Sequence, residues 1–407
     1  MEKKFLPYGK QNITQEEIES VISALTGDYI TQGPLVEKFE LSLAKYLGVK
    51  HAVVVSNGTA ALHIASLALD LKPGDAVIIP AISFVATSNA VLYCGATPIF
   101  ADVDAKTGNI LIESAEEAIL LALKKGLIPK AIYPVHYSGL PCSIKDLIEL
   151  AKKYDIKIVE DSCHALGAMY RINSEENFKM VGSYADMSAW SFHPVKHITT
   201  GEGGAVTTNC SILASKLKML RSHGITKNSF DFTKQNLSLD EKSAEINPWY
   251  YEMQMLGYNY RLPDILCALG IAQLKRIDLF IEKRRALADY YFKKLSGIEN
   301  IILPLNDNVT AFSSFHLFPV KIDFEKIGKT RKQIIDSLKS YGIGCQVHYI
   351  PIPWQPYYEK NTDKFMCLDI TNAENFYKEE LSLPMYYDLN FDDIDRIAEA
   401  LRYSLGN

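Results

Sequence analysis

From Leu35 to Leu220 short apolar runs alternate with stretches whose apolar residues recur at helical spacing. The runs predict strands at His51–Ser56, Ala76–Pro80, Thr97–Val103, Lys130–His136, Lys157–Asp161, Asp186–Phe192 and Gly203–Thr208. Thr59–Asp70, Ser143–Tyr154 and Ser211–Arg221 read as helices between them. Such alternation predicts an α/β fold, a mostly parallel sheet covered by helices on both faces. Residues 1–34 read as a leading arm. Its Thr14–Glu17 is a capping-box pattern, Ile18, Val21, Ile22 and Leu25 share one helical face, and Gly27 stops the helix. At the other end Pro263 opens an amphipathic helix expected to reach about Leu295. Beyond it Phe315–Ile322 and Cys345–Tyr349 read as strands, and Arg331–Tyr341, Thr371–Glu380 and Asp392–Ser404 as helices. The expected organisation is a large domain over 35–280 and a smaller α+β domain over 281–407. Gly224 to Met255 breaks the pattern with a polar, irregular segment (the loop 225–247) followed by the aromatic W-Y-Y-E-M-Q, the composition of a lid, interface arm or mobile loop.

Composition narrows the function. The 407 residues carry 43 basic and 48 acidic side chains, a net charge of −5 without a long run of either sign. Nucleic acid and anionic membrane both demand a positive patch, so neither is an expected partner. The apolar runs are far shorter than a membrane span, and the polar opening Met-Glu-Lys-Lys-Phe is not a signal peptide. Seven scattered cysteines with no C-x-x-C pair point to the reducing cytoplasm, without a disulfide framework or zinc site. His193 and His197 are four apart, but Pro194 between them argues against a helical metal pair. No GxGxxG follows the first strand, which counts against a dinucleotide enzyme.

Three stretches carry candidate chemistry. In S-F-H-P-V-K-H-I-T-T-G-E-G-G-A, Lys196 is the one lysine in a turn between two strands, where desolvation or a neighbouring cation would lower its pKa enough to form a Schiff base. In K-I-V-E-D-S-C-H-A-L-G-A, Asp161 ends a strand, the edge where open α/β sheets place ligands. A carboxylate there can keep a pyridine nitrogen protonated; taken alone, it fits a helix cap as well. In S-N-G-T-A-A-L-H, Gly58 and Thr59 open a helix whose N–H groups can seat a phosphate, or serve as an ordinary turn.

Taken in order, these motifs, with G-Y-N-Y-R-L-P-D-I from Gly257, resemble the DegT-type nucleotide-sugar aminotransferases over almost the whole chain. The resemblance implies the aspartate-aminotransferase fold (fold type I), pyridoxal 5'-phosphate, L-glutamate as donor and a homodimer with shared active sites. It makes Lys196 and Asp161 catalytic. Gly58, Thr59 and Ser191 fall on the phosphate, Phe84 on the cofactor ring, His164 near the cofactor's phenolic oxygen, and Asn259 reaches the phosphate from the neighbouring subunit. Tyr8, Tyr29, Gln346, His348 and Tyr349 correspond to substrate contacts. Without the resemblance, Phe84 reads as core, His164 as a satisfied buried histidine, Asn259 as an exposed loop amide, and the two tyrosines as packing. Q-V-H-Y-I-P at Gln346–Pro351 resembles members that aminate the UDP-sugar of pseudaminic acid biosynthesis. Related dehydratases carry histidine where Lys196 stands, so the lysine favours transamination.

Overall fold

The computed structural model describes residues 4–306 and 309–406. Strands β1 (His51–Val55), β2 (Asp75–Pro80), β3 (Thr97–Ala101), β4 (Ile128–Ile132), β5 (Lys157–Asp161), β6 (Met187–Ser191) and β7 (Gly204–Thr208) lie within a residue or a few of their expected places. With the edge pair Met366–Cys367 they form an eight-stranded sheet in the order β1-β7-β6-β5-β4-β2-β3, then Met366–Cys367. Strand β7 is antiparallel to both its neighbours, and every other pairing is parallel. Consequently β1, β2, β5 and β6 end on one edge. All six residues of β2 are buried, and the last five, Ala76 to Pro80, are the continuous apolar run required of a strand covered on both faces.

Alternate residues face two cores. Val53, Ile79, Val159 and Met187 pack with helix α3 (Gly58–Ala68), while Val54, Trp190 and Phe192 pack with α2 (Pro34–Leu47). A third core surrounds a smaller antiparallel sheet made of Ile301–Ile302, β8 (Phe318–Ile322) and β9 (Glu380–Leu383). Ile352, Tyr358, Ile370 and Phe376 belong instead to the first core, so the segment 352–376 lies against the large sheet.

Several expectations are corrected. The helix from Pro263 is two helices, Asp264–Leu274 and Ile277–Leu295. Arg276 leaves helical geometry (φ −103°, ψ 3°) between them and donates to Glu17 at 2.8 Å and Asn12 at 2.6 Å, so a tertiary ion pair fixes the bend. Cys345–Tyr349 is no strand; it makes one bridge, Gln346 with Ser382, because the His348 N–H turns to the Glu380 carboxylate at 2.8 Å. The strand expected from Phe315 starts at Phe318, since Phe315 has φ 45°. Helix α1 (Gln15–Leu25) forms with its capping box, yet Ile18, Ile22 and Leu25 are exposed and Glu17 is buried. The Ile18, Ile22 and Leu25 side of α1 is therefore left exposed, while α1 packs on Asp264–Leu274 through its other side, where the Ser20 hydroxyl donates to Ala268 O at 3.0 Å.

The segment Gly224–Met255 is folded back by a short pairing of Ile225–Thr226 with Glu252–Met253. The Glu252 carboxylate gathers it, accepting from the N–H groups of Thr233 and Lys234, the Tyr250 hydroxyl and the Gln254 amide. Phe230, Trp249 and Leu256 remain exposed on this arm.

Candidate active site

The loops that follow the common edge of β1, β2, β5 and β6 enclose a cavity of about 1090 Å³. Its walls include Tyr8, Gly58, Thr59, Phe84, Asp161, His164, Ser191, Lys196, Gln346, His348 and Tyr349. Thus 11 of the residues singled out from the sequence, drawn from six separate segments, converge on one space. Tyr29 and Asn259 are exposed and do not line this cavity.

At the phosphate end Asn57 caps α3, accepting from Ala60 N at 2.8 Å. The first-turn N–H groups of Gly58 and Thr59 have no intrahelical acceptor, and the positive end of the helix dipole favours an anion there. A Cβ on Gly58 would stand 2.9 Å from Ser191 Cβ, so glycine is what lets α3 approach β6. Among the described residues the Ser191 hydroxyl accepts only a long contact, 3.4 Å, from His193 N.

Asp161 is 5% exposed. Its Oδ2 accepts from the Thr87 hydroxyl at 2.7 Å and its Oδ1 from Cys163 N at 3.2 Å. Ser83 Oγ lies 2.7 Å from Thr87 Oγ1 and completes a buried chain to the carboxylate. The Thr87 contribution was not read from the sequence: the two residues are 74 positions apart.

Lys196 sits in a turn closed by its N–H to His193 O and by the Thr199 hydroxyl and Thr200 N–H to Phe192 O. Among the described residues its amine has no hydrogen-bond or ion-pair partner. Burial lowers its pKa, opposed by Cys163 and Asp161. Burial and the Lys196 cation likewise hold His164 and His316 well below the usual histidine range, so both rings are neutral. His164 Nε2 lies 3.1 Å from the Tyr349 hydroxyl. His316, unmarked by any sequence motif, packs against His164 with ring centres 4.4 Å apart and planes tilted by 43°. Tyr8 is carried into the wall because its carbonyl accepts from Met385 N at 3.0 Å, and burial raises its pKa.

A phosphate seat, a buried carboxylate with two donors, and an unpartnered amine of lowered pKa make up the donor set that pyridoxal phosphate requires. The residues present fit the cofactor: Gly58, Thr59 and Ser191 would hold its phosphate, Asp161 its ring nitrogen and Lys196 its aldehyde carbon.

The DegT/DnrJ/EryC1/StrS aminotransferase family model matches residues 11–402. The UDP-4-amino-4,6-dideoxy-N-acetyl-beta-L-altrosamine transaminase of Campylobacter jejuni is 38% identical over 396 residues, 97% of this chain and 96% of that one. The spore coat polysaccharide biosynthesis protein SpsC of Bacillus subtilis is 36% identical over 400 residues, 98% and 96% of the two chains. The solved structure of Helicobacter pylori PseC, an aminotransferase involved in the biosynthesis of pseudoaminic acid, superposes with a TM-score of 0.84 at 33% identity, covering 99% of this chain and 100% of that one. A Streptococcus pneumoniae protein in a structure described as its PLP-form gives a TM-score of 0.84 at 28% identity, over 99% of each chain. With the fold, the converging motifs and the matched length in agreement, this chain belongs to the DegT/DnrJ/EryC1/StrS aminotransferase family and is a pyridoxal-phosphate-dependent aminotransferase.

Proposed function

We propose that this protein moves the amino group of L-glutamate to the ketone carbon of a nucleotide-linked keto-deoxy sugar. The sugar we assign is the UDP-linked 2-acetamido-4-keto-6-deoxy-L-altrose-type hexose of pseudaminic acid biosynthesis. The carrying observation is that the Lys196 amine and the Asp161 carboxylate open on the same cavity of about 1090 Å³, a volume at the upper end of ligand pockets that leaves room for a sugar nucleotide beside the cofactor. The Q-V-H-Y-I-P segment lining it and the 38% identity to the C. jejuni transaminase support the choice of sugar.

Bound there, pyridoxal phosphate supplies an electron sink for charge left at the substrate carbon. Asp161, oriented by Thr87 and Cys163, holds the proton on the ring nitrogen. Lys196 moves the proton at the reacting carbon, and burial, by lowering its pKa, favours the neutral amine that acts as the base. Phe84 and Tyr349, with ring centres 6.2 Å apart, wall the reacting region and exclude water. The exposed Tyr29 and Asn259 are assigned to the second site of a cytoplasmic homodimer, covered by the apolar face of α1 and the arm bearing Trp249.

Incubating the holoenzyme with glutamate and a panel of UDP-, dTDP- and GDP-linked 3-keto and 4-keto hexoses tests the assignment. Release of 2-oxoglutarate is expected to be fastest with the UDP-4-keto-6-deoxy sugar and to vanish in Lys196→Ala. A faster GDP- or dTDP-sugar overturns the substrate; normal turnover of the variant overturns the role of Lys196.

A further inference from the structure

His348 reaches the cavity from a segment held by β9. Its Nδ1 is 2.9 Å from Ser382 Oγ, Ser382 Oγ is 2.5 Å from Glu380 Oε1, and Glu380 Oε2 accepts from His348 N at 2.8 Å. Glu380 and Ser382 are fully buried, and the Tyr137 hydroxyl pins the His348 carbonyl at 2.6 Å. His348 Nε2 has no protein partner among the described residues, yet it is not one of the sealed, unpaired buried atoms; it opens to the cavity.

We propose that Glu380 and Ser382 form a relay that sets the tautomer of His348, so that the polarity of the ring nitrogen facing the sugar follows the proton on Glu380. The proposal rests on the reading that His348 touches the sugar substrate. A neutral imidazole has one N–H and one lone pair, and a serine has one proton. With Glu380 ionised, Ser382 gives its proton to the carboxylate and must accept from Nδ1–H, leaving a lone pair on Nε2. When a proton enters, Nε2 takes it from the cavity, Nδ1–H passes to Ser382 and the Ser382 proton passes to Glu380. One proton is bound, the ring stays neutral, and Nε2 now presents an N–H. The two states recognise opposite partners on the sugar: a hydroxyl or acetamido N–H in the first, a carbonyl or ether oxygen in the second.

The surroundings leave Glu380 as the group that decides. Burial, then the Lys196 cation, hold His348 down at about 3, so its ring remains neutral. Burial pushes Glu380 up to about 8 against the donors Ser382 and His348 N, with the Arg331 guanidinium also facing it. Burial keeps the neighbouring Tyr137 and Tyr349 phenols well above their usual range and the Cys345 thiol at about 12, so these stay protonated through that window. Near the ring, burial raises the Tyr8 phenol, His164 is neutral, and Lys196, its pKa lowered by burial, acts on His348 through its charge.

Nitrogen NMR of the holoenzyme with ring-labelled histidine, His348 being identified by its loss in His348→Asn, tests this directly. The wild type is expected to show the Nε2–H tautomer below about pH 8 and the Nδ1–H tautomer above it, and KM for the UDP-4-keto-6-deoxy sugar to change roughly tenfold with the same midpoint. Ser382→Ala and Glu380→Gln should abolish both transitions, and Ser382→Thr should retain them. A His348 tautomer that is pH-independent in the wild type, or that switches unchanged in Ser382→Ala, overturns the relay. An unchanged sugar KM in His348→Asn overturns the substrate contact beneath it, while the nitrogen shifts still decide the relay.

Discussion

Thr87 decides how Asp161 behaves. Without it, a carboxylate only 5% exposed would keep a single backbone donor, Cys163 N, and the cost of burying its charge would rise. The Thr87 hydroxyl, itself 2.7 Å from Ser83 Oγ, supplies a second donor at 2.7 Å. A hydrogen bond to a charged group contributes about 1.5–3 kcal/mol. Thr87→Val, which keeps the shape and removes the donor, is therefore expected to lower kcat/KM by roughly ten- to a hundredfold, read from 2-oxoglutarate release in steady state. Ser83→Ala, one bond further from the charge, should cost less; equal losses would mean that Thr87 acts through packing alone. Lys196 and Asp161 were legible because each lies in a local motif. Thr87 stood in a quoted stretch, Ile82–Thr87, but its partner is 74 residues away, and no spacing rule connects them.

The arm at 224–255 shows the same limit one scale up. Its polar, irregular composition marked it as a loop, but not that one carboxylate, Glu252, organises it. Burial works to raise the Glu252 pKa, and the hydrogen bonds from Thr233, Lys234 and Tyr250 outweigh this and hold it at about 2, against an ordinary value of 4.5. The folded arm thus binds fewer protons than the unfolded chain between those values, so its stabilisation is complete above pH 4.5 and lost as pH falls towards 2. Hydrogen-exchange protection of the Thr233 and Lys234 amides should fall over that interval after correction for intrinsic rates. In Glu252→Gln it should be low and flat across the same range; protection that survives the substitution would show that another contact shapes the arm.

For the whole molecule, two groups of exposed apolar residues bear on the proposed dimer. Ile18, Ile22 and Leu25 on α1, and Phe230, Trp249 and Leu256 on the arm, are uncovered, and Tyr29 and Asn259 stand outside their own cavity. A symmetric pair of chains that buries these faces can lend Asn259 to the opposite site. Lys196→Ala and Asn259→Ala are each expected to be inactive as pure proteins, whereas co-refolded in equal amounts they should recover about a quarter of wild-type activity, since half the dimers hold one site free of both changes. No recovery, or sedimentation at the 45.6 kDa of a single chain, would argue against shared sites.

The sequence alone determined the α/β order, seven of the eight strands of the large sheet and the motifs at their ends, because a strand, a capping box or a turn is specified by residues within a few positions of one another. Only the tertiary structure decided that Arg276 breaks the helix expected to run unbroken to Leu295, that Cys345–Tyr349 turns to Glu380 instead of pairing as a strand, and that the apolar face of α1 is left open. Each of these depends on the electrostatic cost of burying a group and on which distant donor or acceptor meets it there, a balance that forms only once the chain has folded.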